Sequence, residues 1–227
     1  MKKLVIAILM FFSFSSIATA EVGAKIGISG NLGVFEGKAN ETENGEKNSD
    51  RALGVAGYAS IFLEKSLPGA FSRLSIGIDY VPTALESETV SESRSDSTVA
   101  AVATGEQKSQ VDFEDLTTMY LSLNVTDNFY IKTGMVQVDA ITNEKLHTGS
   151  TYGNQTIDGT MYGAGYHKDL DNGAFWRVEG NVMQFDKATF TSQVVRPNGT
   201  TAAQVANVIV LEEFNGANAK ISIGKSF

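Results

Sequence analysis

Residues 217–227 alternate in character almost without a break. Ala217, Ala219, Ile221, Ile223 and Phe227 fall on one face, and Asn218, Lys220, Ser222, Gly224 and Ser226 on the other. A period of two is the signature of a strand with one oily and one wet side. The single departure on the oily side is Lys225, whose stem can lie along apolar surface while its ammonium reaches water. The same alternation recurs upstream. Residues 22–35 set Val22, Ala24, Ile26, Ile28, Leu32 and Val34 against Gly23, Lys25, Gly27, Ser29 and Asn31. A second strand sets Val55, Ala59, Ile61 and Leu63 against Ala56, Tyr58, Ser60, Phe62 and Glu64. Tyr58 and Phe62 are large enough to leave its facing open. A third carries Leu74, Ile76, Ile78 and Tyr80 opposite Arg73, Ser75, Gly77 and Asp79, and Pro82 ends it.

Four more strands follow. Met119, Leu121, Leu123 and Val125 mark the fourth. Phe129, Ile131, Thr133 and Met135 mark the fifth, where Val136 and Val138 then fall on the wet face and predict a bulge. Tyr162, Ala164 and Tyr166 lie opposite Met161, Gly163, Gly165 and His167 in the sixth. Ala174, Trp176, Val178 and Val182 lie opposite Arg177, Glu179, Asn181 and Met183 in the seventh. The eighth is the closing strand. Connections alternate in length. Residues 36–51, 83–110, 141–158 and 187–206 read as long polar loops, with a ribbon conceivable near 98–104 and strand-like residues at 190–195 and 205–211. The other connections are short: Pro68-Gly69 suits a type II turn, Thr126-Asp127-Asn128 a tight turn, and Asp169 to Gly173 an Asx-type turn. Asp169-x-Asp171 lacks the further acidic ligands of a calcium loop.

Lys2 and Lys3, an apolar run over residues 4–12 and the small-x-small pair Ala18 and Ala20 read as a cleaved secretory signal over residues 1–20. Residues 21–227 then form one domain. Losing Lys2 and Lys3 from the 18 basic residues leaves 16 against 26 acidic ones, a net charge of −10. So acidic a chain does not track a phosphate backbone, and no nucleic acid partner is expected. Cysteine is absent, so stability must come from packing or from closing the hydrogen-bond ladder. No mature stretch is long and apolar enough for a membrane helix.

The closing strand with its terminal aromatic, the period-two strands throughout and the long–short alternation together resemble small bacterial outer-membrane β-barrels of the OmpA/OmpX type, or opacity-type porin-like barrels. The resemblance spans residues 21–227 and is architectural. It implies an all-β, up-and-down antiparallel transmembrane barrel of about eight strands, with short periplasmic turns and long external loops. It implies a Gram-negative outer membrane, with lipid and lipopolysaccharide around the barrel. Ile221, Ile223 and Phe227 would be the assembly signal read by the barrel assembly machinery. Phe129, Tyr166 and Trp176 would form the periplasmic aromatic girdle, and Tyr80 and Tyr162 the outer one. A soluble secreted sandwich or lipocalin-like barrel, with its oily residues turned inward, is the fold alternative.

On this facing Lys25, Glu64, Arg73, Asp79, Lys132, Arg177 and Glu179 point into the lumen. A barrel of eight strands is filled by its own side chains, and buried charges must pair. The expectation is therefore a plugging ion network and a structural or cell-surface role. A narrow pore for ions or small solutes, or a lateral path for apolar ones, is the alternative. The acidic, Ser/Thr-rich loops are the candidate surface for a ligand or another cell. His147 and His167 are the only histidines, and neither sits in a metal-binding pair, so no cofactor or metal is expected. His147 and Ser150 lack the orienting third group of a nucleophilic set, so no enzyme is expected, a lipid-modifying hydrolase being the residual case.

Overall fold

The computed structural model describes residues 23–43, 46–95, 104–145, 151–193 and 206–227. The signal segment with Ala18 and Ala20, the His147/Ser150 pair and nearly all of the 98–104 span lie outside these residues. The strands are β1 (Ala24–Glu43), β2 (Glu46–Ser66), β3 (Leu74–Tyr80), β4 (Leu85–Glu86), β5 (Val90–Ser95), β6 (Thr104–Asn124), β7 (Phe129–Lys145), β8 (Gln155–Asp169), β9 (Ala174–Phe185), β10 (Ala188–Thr191) and β11 (Val208–Ser226). Eight of them make a closed antiparallel ring in the order β1-β2-β3-β6-β7-β8-β9-β11, with β11 pairing back onto β1. The closing ladder runs from Lys25↔Ser226 to Thr42↔Val208, and Phe227 N–H extends it by donating to the Ala24 carbonyl at 2.8 Å. β4 and β5 lie along β6, and β10 along β11.

The alternation decides which side faces out. Ile26, Ile28, Leu32 and Val34 of β1, Met119 and Leu121 of β6, and Ile221 and Ile223 of β11 are all exposed. Tyr58 and Phe62 are buried while Val55 and Ile61 are exposed, which settles the facing of β2. The oily residues thus face outward, against the sandwich and lipocalin alternative. From Ile26 to Val34 the band covers eight residue steps, about 26 Å along the strand at roughly 3.3 Å each. Its upper edge is sharp over β8, β9, β11 and β1. The paired row Tyr162–Val182–Ala217–Val34–Val55 is followed by Thr160–Gln184–Asn215–Glu36. That same upper row, however, carries the exposed Met135 of β7 and Leu53 of β2.

All four of the expected loops are partly strand, the fourth through β10, which pairs with β11 from Ala188↔Leu211 to Thr191↔Val208. Residues 36–43 and 46–51 form a two-stranded extension of β1 and β2, paired from Glu36↔Leu53 to Glu43↔Glu46. In the second, β5 pairs with β6 from Val90↔Ser109 to Ser95↔Thr104, and in the third β7 runs on to Lys145. Above the band both faces of a ribbon are wet, so the side chains lose their alternation while the backbone ladder continues. Asp169 to Gly173 turns as the sequence suggests, whereas Pro68 leads into a single 3-10 turn over Gly69–Phe71, with Ser72 N–H donating to the Gly69 carbonyl at 3.1 Å. Gly69 and Gly173 take positive φ, and Asn172 Oδ1 accepts from Ala174 N–H at 3.0 Å.

The bulge expected in β7 belongs to β6 instead. β7 keeps unbroken register with β8 from Phe129 to Ala140, and the β6 register shifts between Glu114 and Thr117. Val136 and Val138 face inward because the upper lumen is apolar. Asp115, in the bulge, has φ of 54°, and its Oδ1 accepts from Tyr80 OH at 2.6 Å. Asn tolerates this left-handed conformation and a β-branched residue does not. Asp115→Val should therefore lower stability by about 1–3 kcal/mol, while Asp115→Asn stays near wild type. The midpoint of urea unfolding in micelles measures both.

The ring is incomplete on one side. β3 pairs with β2 only from Ile61↔Tyr80 to Ser66↔Ser75. Pro82 then breaks the ladder, and the chain continues along β6 as β4 and β5 without returning to β2. Residues 46–60 of β2 therefore have no strand on that edge among the described residues. Leu53 and Val55, outward beside this slit, are 71% and 68% exposed.

Candidate functional site

The site is the lumen, and its lower half is charged. Glu64 of β2 and Arg177 of β9 are buried from opposite walls and make a bidentate pair, with both nitrogen–oxygen distances 2.8 Å. This planar fork is the strongest form of ion pair. Tyr120 OH donates to the same Glu64 at 3.1 Å. The Arg177 guanidinium also lies 4.8 Å from the Phe175 ring and 5.2 Å from that of Phe62, within cation–π range. Lys132 of β7 donates to Glu179 at 3.1 Å, and Tyr130 OH donates to the other Glu179 oxygen at 2.5 Å. The Lys132 ammonium sits 3.8 Å from the Tyr120 ring centre. Lys220 of β11 pairs with Asp79 of β3. At the short-turn mouth Lys25 and His167 both approach Asp169, at 4.0 and 3.8 Å.

Glycines on facing strands make this crowding possible. A Cβ at Gly77 would run into the Tyr120 ring, and one at Gly163 into the Asn181 amide. Above the charges comes a belt of amides. Asn181 Nδ2 donates to Asn218 Oδ1 at 2.8 Å, Asn218 Nδ2 to Asn31 Oδ1 at 3.2 Å, and Asn31 Nδ2 to Ser60 Oγ at 3.2 Å. Higher still the lumen is apolar. Phe214 stacks between Phe185 at 4.4 Å and Phe113 at 5.0 Å, with Val136, Val138, Ile157 and Phe190 buried around them.

Six of the seven residues expected in the lumen network make these ion pairs: Lys25, Glu64, Asp79, Lys132, Arg177 and Glu179. Arg73 does not. It is exposed in the turn before β3 and donates to the Val125 carbonyl at 3.3 Å, because the inward parity begins only with Ser75, inside the paired strand. The network fills the lower lumen, the short-turn half where most of these residues were expected, and the upper lumen is apolar. Lys220 and the asparagines were missed as partners. Their parity on the wet face was legible, but contacts across a barrel depend on the offset of all eight strands. Outside, Tyr166 packs between Phe129 at 5.1 Å and Trp176 at 5.5 Å. Tyr162 stands in the last apolar row, and Tyr80 bonds Asp115. Ile221, Ile223 and Phe227 all face outward. Among the described residues no group of three His, Cys, Asp or Glu side chains could hold a metal ion.

No protein-family model matches the chain, and no curated protein matches it by sequence. Among solved structures it is similar to the outer membrane protein OprG from Pseudomonas aeruginosa. The TM-score is 0.55 at 11% identity, over 91% of this chain and 98% of that one. The Escherichia coli outer membrane protease OmpT aligns with a TM-score of 0.49 at 9% identity, over 92% of this chain and 99% of that one. The outer membrane protein AlkL, solved in lipid bilayers, aligns with a TM-score of 0.48 at 13% identity, over 93% of each chain. At such identities the likeness is one of fold: this chain has the closed eight-stranded antiparallel barrel seen in outer-membrane proteins such as OprG.

Proposed function

We propose that this protein is an integral outer-membrane barrel with a structural or cell-surface role, no enzymatic activity and a lumen closed to ions. The observation that carries the reading is the closed ring with an apolar band outside and paired charges inside. A closed ring satisfies backbone polarity in lipid; among the described residues the slit leaves residues 55–60 of β2, the upper part of its share of the band, without a strand on one edge. In this reading lipid and lipopolysaccharide surround the band, and the assembly machinery reads Ile221, Ile223 and Phe227. The extended ribbons then present acidic residues at the cell surface. Two measurements test it together. The protein should fractionate with the outer membrane as a heat-modifiable band on gels, and planar bilayers holding it should stay electrically silent. Persistent open steps would favour a pore, and a soluble fraction would remove the membrane reading.

The slit favours a second reading, a lateral path for small apolar solutes. It lies between Ala56 and Tyr58 of β2 on one side and Leu85 of β4 with its partner Phe113 of β6 on the other, all packed in the apolar upper lumen. Escape of an apolar dye from vesicles should then be faster with the wild-type barrel than with Ala56→Trp. Equal rates would remove it.

A further inference from the structure

The belt of amides has a direction. Each Nδ2 donates to the next acceptor, from Asn181 through Asn218 to Asn31 and on to Ser60. A directed chain has an open beginning, and here it is Asn181 Oδ1, which is buried without a hydrogen-bond partner. Asn181 is only 7% exposed. A buried acceptor left unmade costs about 1–3 kcal/mol, so it should be met by something. Asn181 lines a cavity of about 30 Å³ that it shares with Asp79, Thr118, Lys132, Asn218 and Lys220, under a roof of Met161 and Met183.

We propose that this cavity binds a single ordered water molecule, which closes the asparagine chain and ties it to the lysines below. The space is large enough to hold water. The chemistry selects against ions of either sign. Lys132 and Lys220 are balanced by Glu179 and Asp79, so an added cation or anion would be an uncompensated charge in a buried site. Water alone meets both demands. It donates to Asn181 Oδ1 and accepts from an ammonium, and each lysine has protons beyond the one its carboxylate takes. Were every amide turned over, the chain would end on a donor at the same place, and the same water would accept from it. The water makes the boundary between the charged and apolar halves a neutral, hydrogen-bonded layer.

The test is a high-resolution crystal structure of the detergent-solubilised full barrel. Crystals grown in sodium bromide and in rubidium chloride are compared. The expected result is one density peak within hydrogen-bond distance of Asn181 Oδ1, with no anomalous signal there in either salt. An anomalous bromide or rubidium peak would make it an ion site, and absence of any density would make it a dry void; either overturns the proposal. Asn181→Leu should abolish the peak, and a peak that persists in that variant would sever the water from the asparagine. The wild-type crystals decide the matter should that variant not fold.

Discussion

Arg177→Met is expected to cost the folded barrel about 3–5 kcal/mol, because it leaves Glu64 charged and alone in a buried lumen. The carboxylate would lose both guanidinium bonds and keep only the Tyr120 hydroxyl. Removing both charges is a different experiment. The double variant Glu64→Leu/Arg177→Met takes the desolvation cost away together with the pair and should recover most of that loss. Urea unfolding in micelles, followed by heat-modifiable gel mobility, reads all three variants. A double variant as unstable as Arg177→Met would show that the pair is not a self-compensating plug. Lys132→Met should behave in the same sense by stranding Glu179, although Tyr130 OH would still serve one of its oxygens.

Phe214→Ala should lose about 3–5 kcal/mol, in the range of large-to-small changes at a packed aromatic. Its ring is sandwiched between Phe185 and Phe113 and lies 6.3 Å from Phe35. No polar group replaces it, so the loss is packing and cavity alone. Phe214→Leu, which keeps much of the volume, should lose distinctly less. Equal losses would mean that the aromatic stack adds nothing beyond bulk. The two variants probe different halves of the lumen, and Arg177 and Phe214 share no partner, so their effects should add.

How much of this was legible in the sequence depended on where water and lipid meet. Within the band most strands have one apolar and one polar face, so Ile221 and Lys220 declare their sides by parity alone, whereas β2, with Tyr58 and Phe62 on its inner face, does not. The ring and its strand count followed from that. Above the band the rule fails. Glu36, Lys38, Asp50 and Arg51 read as loop because a wetted ribbon has no oily face, yet they are paired. Val136 and Val138 misled in the opposite sense, since β7 turns its oily residues outward in the band and inward above it, which mimics a bulge. The actual bulge, at Asp115, carries no mark beyond one acidic residue able to turn left-handed. The slit was half visible: Pro82 announced the end of β3, but nothing in sequence said that the chain would then follow β6 and abandon β2. Partners across the lumen were hidden altogether. Lys220 meets Asp79 from strands far apart in the chain, and only the closed register brings them together.

Trp176 offers the most direct test, since it is the only tryptophan in the chain. It is 37% exposed on the outer wall and packs on Tyr166 near the short-turn end of the barrel. The barrel is folded into vesicles whose acyl chains carry bromine at a series of depths, and tryptophan emission is recorded. Strong quenching that is greatest for bromines near the headgroups, with little quenching by aqueous iodide, is the result predicted for an interfacial residue on a membrane-embedded wall. Emission indifferent to brominated lipid at every depth but quenched by iodide would contradict it.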